Sequence, residues 1–138
     1  MHLIVDSLTG NVRRFAQAVA QAAGGLTMQG VQEARPQEPY LLLTYTFGQG
    51  QVPASTQAFL RRHRSGLCGV VSSGSYHWGA NFARAGALIA ADYQVPLVAQ
   101  INKSGTAADR EQVLTWLRAA AAPLPQPQRT PTWTPGLN

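Results

Sequence analysis

Apolar positions along the chain fall into short blocks separated by polar turns, and the blocks alternate between two periods. His2 to Asp6 is a first strand, short and apolar, which runs into the turn Ser7-Leu8-Thr9-Gly10-Asn11. Val12, Phe15, Ala16, Val19 and Ala20 then recur at helical spacing, with Arg13, Arg14, Gln17 and Gln21 on the opposite face. Gly24-Gly25 ends that helix. Residues 26–31 form a short second strand, and Arg35 to Pro39 a loop. Tyr40 to Tyr45 is a third strand, and its unbroken Leu41-Leu42-Leu43 implies burial on both faces, as a parallel sheet requires.

Thr46 to Pro53 is a glycine-containing loop, and Pro53 suits the start of a helix over Ala54 to Arg62. Leu67 to Val71 is a fourth strand, followed by the loop Ser72-Ser73-Gly74-Ser75-Tyr76-His77-Trp78-Gly79. Phe82, Ala85, Gly86, Ile89 and Tyr93 mark one face of a third helix, and Leu97 to Ile101 is a fifth strand. Thr106 with Asp109 three residues on predicts a capping box for a last helix that buries Val113, Leu114 and Leu117. Five strands alternating with four helices define an α/β fold, an open parallel sheet covered on both faces through right-handed crossovers. Ligands of such sheets sit beyond the carboxyl ends of the strands. The three most unusual loops, 7–11, 46–53 and 72–79, all follow strands and so converge on that rim.

Composition narrows the picture. The 138 residues suit one domain over 1–122, with 45% hydrophobic residues for its core and only 12% charged. Beyond Ala122, Pro123, Pro125, Pro127, Pro131 and Pro135 with intervening Thr and Gln predict a flexible tail over 123–138, where Trp133 is the one residue suited to docking. No apolar run approaches the roughly 20 residues of a membrane span, and the first apolar stretch is cut short by Asp6, so a cytoplasmic protein is expected. The net charge of +5 is scattered except at Arg61, Arg62, His63 and Arg64, either a solvated helix end or a docking patch. No nucleic-acid motif accompanies it.

Several chemistries are excluded. A single cysteine, Cys68, allows no internal disulfide, and its place in an apolar strand predicts an inert core residue. The chain has no Gly-x-Ser-x-Gly elbow, no Walker A motif and no dinucleotide fingerprint. A phosphorylatable receiver would need clustered acids where only Asp6 stands, and an Asp where the third strand has Thr44. His2, His63 and His77 are too scattered for a metal site.

The remaining loops offer binding rather than acid–base groups. Ser7-Leu8-Thr9-Gly10-Asn11 presents hydroxyls, an amide and backbone N–H groups at a helix N-terminus, a cradle for phosphate that holds no cation of its own. Read alone, it is equally an N-cap turn. Thr44, Tyr45 and Thr46 supply hydroxyls in succession before Phe47 and Gly48. Tyr76, His77 and Trp78 between Gly74 and Gly79 either stack on a flat heterocycle or join the core.

Taken together these segments resemble a known family. Ser-Leu-Thr-Gly-Asn-Val (7–12) is similar to the FMN phosphate loop of flavodoxins. With Thr-Tyr-Thr-Phe-Gly-Gln-Gly-Gln-Val-Pro (44–53), Ser-Ser-Gly-Ser-Tyr-His-Trp-Gly (72–79) and Lys-Ser-Gly-Thr (103–106), the order over residues 3 to 118 resembles the NrdI family. Ser75 and His77 stand where that family commonly has asparagine. The resemblance implies a flavodoxin-like three-layer α/β/α fold with strand order 2-1-3-4-5 and one FMN. It implies a cofactor-binding set of Ser7, Leu8, Thr9, Gly10, Asn11, Val12, Thr44, Tyr45, Thr46, Phe47, Gly48, Ser73, Gly74, Tyr76, Trp78, Gly79, Asn81 and Phe82. Of these, Ser7, Thr9, Gly10 and Asn11 would hold the phosphate, Gly48 would sit by flavin N5, and Trp78 would stack on the ring. No side chain would be a catalytic acid or base, and no metal would be bound. The reduced flavin would react with dioxygen to give superoxide for the dimanganese site in the small subunit of class Ib ribonucleotide reductase, with a flavin-reducing protein as the electron source. A generic one-electron-transfer flavodoxin, or a non-redox module for a phosphorylated ligand or protein, are the alternatives.

Overall fold

In this computed structural model, which describes residues 1–121, strands and helices alternate except that the second strand passes to the third without a helix between them. The predicted tail over 123–138, Trp133 included, lies outside the described residues. The elements are β1 (His2–Val5), α1 (Asn11–Ala22), β2 (Met28–Gly30), β3 (Tyr40–Tyr45), α2 (Ala54–His63), β4 (Leu67–Gly74), α3 (Arg84–Tyr93), β5 (Leu97–Asn102) and α4 (Ala107–Ala121). All four pairings are parallel and the order is β2-β1-β3-β4-β5, the predicted topology.

Side-chain alternation along the central strands builds two cores. Leu41 and Leu43 of β3 join Leu3, Val5, Phe15, Val19, Ile101, Val113 and Leu117 on the face that α1 and α4 cover. Tyr40 and Leu42 point the other way, to Ile4, Phe59, Leu60, Val70 and Ile89 beneath α2 and α3. The three leucines of β3 are fully buried, as their unbroken run requires. Thr106 and Asp109 form the expected capping box: the Thr106 N–H donates to Asp109 Oδ2 at 2.8 Å, and the Asp109 N–H to Thr106 Oγ1 at 3.1 Å.

Four expectations need correction. β4 does not stop at Val71 but runs through Ser72, Ser73 and Gly74, which pair with Thr44, Tyr45, Gln100, Ile101 and Asn102. Serines survive in that buried setting because their hydroxyls are matched, Ser72 Oγ donating to the Ala83 carbonyl and Ser73 Oγ to the Lys103 carbonyl, each at 2.5 Å. Phe82 precedes α3 rather than lying on it, because Ala83 takes a positive φ of 49° and the chain enters the helix only at Arg84. Residues 76–81 form 3-10 turns instead of open loop. Cys68 is half-buried, not a core residue.

The basic cluster sits in the last turn of α2, where the helix dipole favours it. There Arg64 lies 5.4 Å from the centre of the Tyr93 ring. Among the described residues no helix is long and apolar enough to cross a membrane.

Tyr40, wholly buried, donates its hydroxyl to the His63 carbonyl at 2.7 Å. Burial, with smaller contributions from Tyr93 and Cys68, pushes its phenol above the ordinary value. The unfolded chain therefore releases this proton first as pH rises. The contribution to stability is full below about pH 10 and declines above it. Tyr40→Phe is expected to lose about 1 kcal/mol at neutral pH with the hydrogen bond. It should also flatten the alkaline decline, as urea unfolding at pH 7 to 11 would measure.

Candidate functional site

The loops after β1, β3, β4 and β5 close on one cleft of about 330 Å³. Of the predicted set, Ser7, Leu8, Thr9, Asn11, Val12, Tyr45, Thr46, Ser73, Gly74 and Trp78 line it, joined by Ser75 and Lys103. A neighbouring hollow of about 240 Å³ between β1 and β2, lined by Asp6, Arg13 and Glu33 among others, shares only Ser7 with it.

At one end of the cleft, α1 begins at Asn11 after Gly10, which takes φ 95°. No side chain caps this helix at its N-cap position. Ser7 Oγ instead accepts the Gly10 N–H at 3.1 Å and, more loosely, the Arg13 N–H at 3.4 Å, and so shapes the turn and leaves the N–H groups of Asn11 and Val12 facing outward. The first N–H groups of a helix so exposed form a positive, donor-rich cup suited to a phosphate. Arg14, one turn into α1, folds back on this loop, its Nη2 donating to Asn11 Oδ1 at 2.6 Å. Its guanidinium reaches within 2.9 Å of the place a Cβ on Gly10 would occupy. The loop holds no cation, but the fold supplies one.

The other end is a wall of β4 and its turn. Gly74 is required there, since a Cβ would stand 2.5 Å from the Ala83 nitrogen and 3.4 Å from the Trp78 ring. Trp78 is 41% exposed, so its ring is not spent on the core. Tyr76 is turned away and packs on Phe82, ring centres 4.7 Å apart. Ser75 Oγ accepts the His77 N–H at 3.3 Å, and Asn102 Oδ1 accepts the Tyr76 N–H at 3.1 Å.

Phe47 and Gly48 stand just beyond the cleft. Phe47 and Gln51 exchange backbone hydrogen bonds of 2.7 and 2.8 Å, closing a tight turn in which Gly48 takes φ 56°. An L side chain rarely adopts that conformation, so the turn asks for glycine. Gly79 takes the same φ, and Asn81 lies against Gly50 on the next loop. Thr46 Oγ1 accepts the Ala85 N–H at 3.3 Å and ties the β3 loop to α3.

Thr44 faces a different task. Asp6 is buried, and its Oδ2 accepts from Ser55 Oγ at 2.5 Å and Thr56 Oγ1 at 2.6 Å, both in the first turn of α2. Thr56 Oγ1 lies 2.8 Å from Thr44 Oγ1. With its one proton given to Asp6, Thr56 accepts from Thr44, and the chain of donation runs Thr44 to Thr56 to Asp6. This network, like Lys103 and the fold-back of Arg14, was missed by sequence reasoning. Arg14 could have been found from its i+3 spacing to Asn11, and Lys103 from its place directly after β5. The pairing of Asp6 with residues 49 and 50 positions away leaves no local signal. Among the described residues no group of three or more His, Cys, Asp or Glu side chains could hold a metal ion.

A donor-rich helix end, a partly exposed indole and neutral hydroxyls in one cleft suit a phosphorylated ligand with a flat ring. The fold that carries them is that of the flavodoxin-like proteins. A short-chain flavodoxin associated with a PDU bacterial microcompartment superposes with a TM-score of 0.73 at 17% identity, over 88% of this chain and 97% of that one. A Fusobacterium nucleatum flavodoxin variant bound to flavin mononucleotide gives 0.65 at 13% identity, over 84% and 91%. Within that class, residues 3–115 match the family described as NrdI flavodoxin-like, and the chain belongs to it. Relatives named Protein NrdI include that of Deinococcus radiodurans, 58% identical over 85% of this chain and 82% of its own. That of Macrococcus caseolyticus is 40% identical over 76% and 79%.

Removing the Thr56 hydroxyl leaves a buried carboxylate one donor short. Thr56→Val is expected to cost about 1–3 kcal/mol in urea unfolding, with Thr56→Ser restoring most of it.

Proposed function

We propose that the cleft binds one FMN, with its phosphate on the loop 7–11 and its ring along the wall of Tyr45, Gly74, Ser75 and Trp78. The observation that carries this reading is the meeting, in one cleft of a chain of the NrdI family, of a helix N-terminus whose N-cap residue is glycine with a partly exposed tryptophan. When bound and reduced, the flavin reacts with dioxygen to give superoxide. The proposed recipient is the dimanganese site in the small subunit of class Ib ribonucleotide reductase, where the oxidant assists assembly of the tyrosyl radical. A flavin-reducing protein supplies the electrons.

The chain's own residues have three duties in this scheme. Ser7, Thr9, Asn11 and the N–H groups of α1 hold the phosphate, with Arg14 beside them. Trp78 covers the ring on one side, as an aromatic face packs on another. Gly48 presents its peptide to the ring edge and is free to change orientation. No side chain here needs to act as acid or base, because the cofactor carries the reaction and the protein sets its access and potential.

Heat-released supernatant of the purified protein should contain FMN in near-equal amount to protein; FAD, or no flavin, would overturn the assignment. Chemically reduced protein, mixed in aerated buffer with a manganese-loaded small subunit, should generate a tyrosyl radical detectable by electron paramagnetic resonance. Superoxide dismutase should suppress the signal. If no radical forms and the protein instead cycles stably by single electrons, it is an electron-shuttling flavodoxin.

Gly48 and Trp78 divide the remaining work. Gly48→Ala penalises the positive-φ conformer by about 1–2 kcal/mol, so it should leave FMN bound but shift its reduction potentials. Trp78→Ala should weaken FMN binding more than it alters the potentials. Fluorescence titration of the apoprotein and dye-referenced potentiometry measure both.

A further inference from the structure

The lining of the cleft is neutral at every position but one. Lys103 carries the sole charge among the lining residues. Its side chain is exposed, and the one salt bridge among the described residues lies elsewhere, between His2 and Glu38. The acidic side chain closest in sequence, Asp109, is committed to the Thr106 N–H.

Its backbone is held from both sides. The Lys103 N–H donates to the Gly74 carbonyl at 2.7 Å, and its own carbonyl accepts from Ser73 Oγ at 2.5 Å. These bonds fix the residue against the end of β4, beside the wall that Gly74, Ser75 and Trp78 form. They also hold it at φ 57°, in the left-handed region, which disfavours side chains other than asparagine and aspartate. The turn alone calls for glycine or asparagine. A lysine there brings something the turn does not need, a positive charge at the ring end of the cleft.

We infer that Lys103 selects the charge state of the bound flavin, its ammonium favouring the reduced form over the oxidised one. This rests on the proposed binding of FMN in the cleft. Two electrons from a flavin-reducing protein and one proton from solvent convert a neutral oxidised ring into a ring with one net negative charge. A cation close to the ring lowers the free energy of that product and leaves the neutral reactant unaffected. A cation acting on the phosphate would instead strengthen both forms alike, since that charge is present before and after reduction. Lys103 is thus a positioning residue for charge and touches no proton in the reaction.

The test uses Lys103→Asn, which removes the charge and tolerates the left-handed backbone, together with Lys103→Arg and Lys103→Glu. Apoprotein is titrated with FMN, and the loaded protein is titrated with dithionite against a reference dye at low and high salt. For Lys103→Asn the affinity for reduced FMN relative to oxidised FMN should fall about threefold to tenfold, as for removal of one partly screened charge. Lys103→Glu should lower that ratio further, Lys103→Arg should preserve it, and added salt should narrow the gap between Lys103→Asn and the parent. Equal weakening of both forms would overturn the inference and assign Lys103 to the phosphate. An unchanged ratio with unchanged affinity would overturn it as well. Failure of the parent protein to take up any FMN would instead remove the reading of the cleft itself, and this inference with it.

Discussion

A parallel sheet cannot be joined by hairpins, and the rest of this structure depends on that constraint. Three of the four crossovers carry a helix, the segment between β2 and β3 does not, and α4 follows the last strand; α1 and α4 cover one face and α2 and α3 the other, so β3 and β1 are closed from both sides. The same connectivity sends every strand's carboxyl end to one rim. Residues with no part in the core, such as Leu8, Phe47, Tyr76 and Trp78, gather there as exposed apolar groups. The site is therefore a consequence of how the core is wound, and its members come from loops far apart in the chain.

Placing a buried carboxylate so close to that rim needs a solution. Asp6 directly follows β1 and precedes the loop 7–11, yet it does not line the cleft. It turns instead to the first turn of α2, where two hydroxyls and the positive end of the helix dipole compensate its charge without a cation. Thr44 closes the network from β3, so the carboxyl ends of β1 and β3 and the start of α2 are locked together. The negative charge adjacent to the cleft is thereby spent on architecture.

Much of this was legible in the sequence, for reasons that differ by element. β3 was readable to the residue because a Leu-Leu-Leu run has only one environment in which it is stable. α4 was readable at its start because Thr106 and Asp109 carry their own geometry. β4 was misjudged because serine is a loop residue by propensity, and only the tertiary partners of Ser72 and Ser73 make it a strand residue. Cys68 was assigned to the core from the apolarity of its neighbours, while the strand's amino end leaves it half-covered. In the site, the convergence of the loops after β1, β3 and β4 follows from topology, while the individual residues were implied by the resemblance, which left out Ser75. Lys103, Arg14 and the partners of Asp6 required coordinates because their roles depend on where side chains return.

The electrostatics of the rim follow from the same distinction between loop composition and fold. By composition, the loop 7–11 is a neutral cradle, and neutral donors suffice to hold a phosphate. In the folded chain Arg14 lies over Gly10 and Asn11 at one end of the cleft, and Lys103 is fixed at the other by its bonds to β4. Lys103 is the one charged residue that lines the cleft, Arg14 stands beside the loop 7–11 without lining it, and Asp6 is turned aside. For an FMN bound as proposed, a cation would act differently at the two ends, because the phosphate's charge is constant and the ring's charge would appear only on reduction. A cation at the phosphate end adds to affinity in every state, whereas one at the ring end changes the balance between states. Under the proposed binding, the placement of Lys103 at the far end from the loop 7–11 would bear on the balance between the ligand's states, whereas Arg14 beside that loop would bear on retention alone.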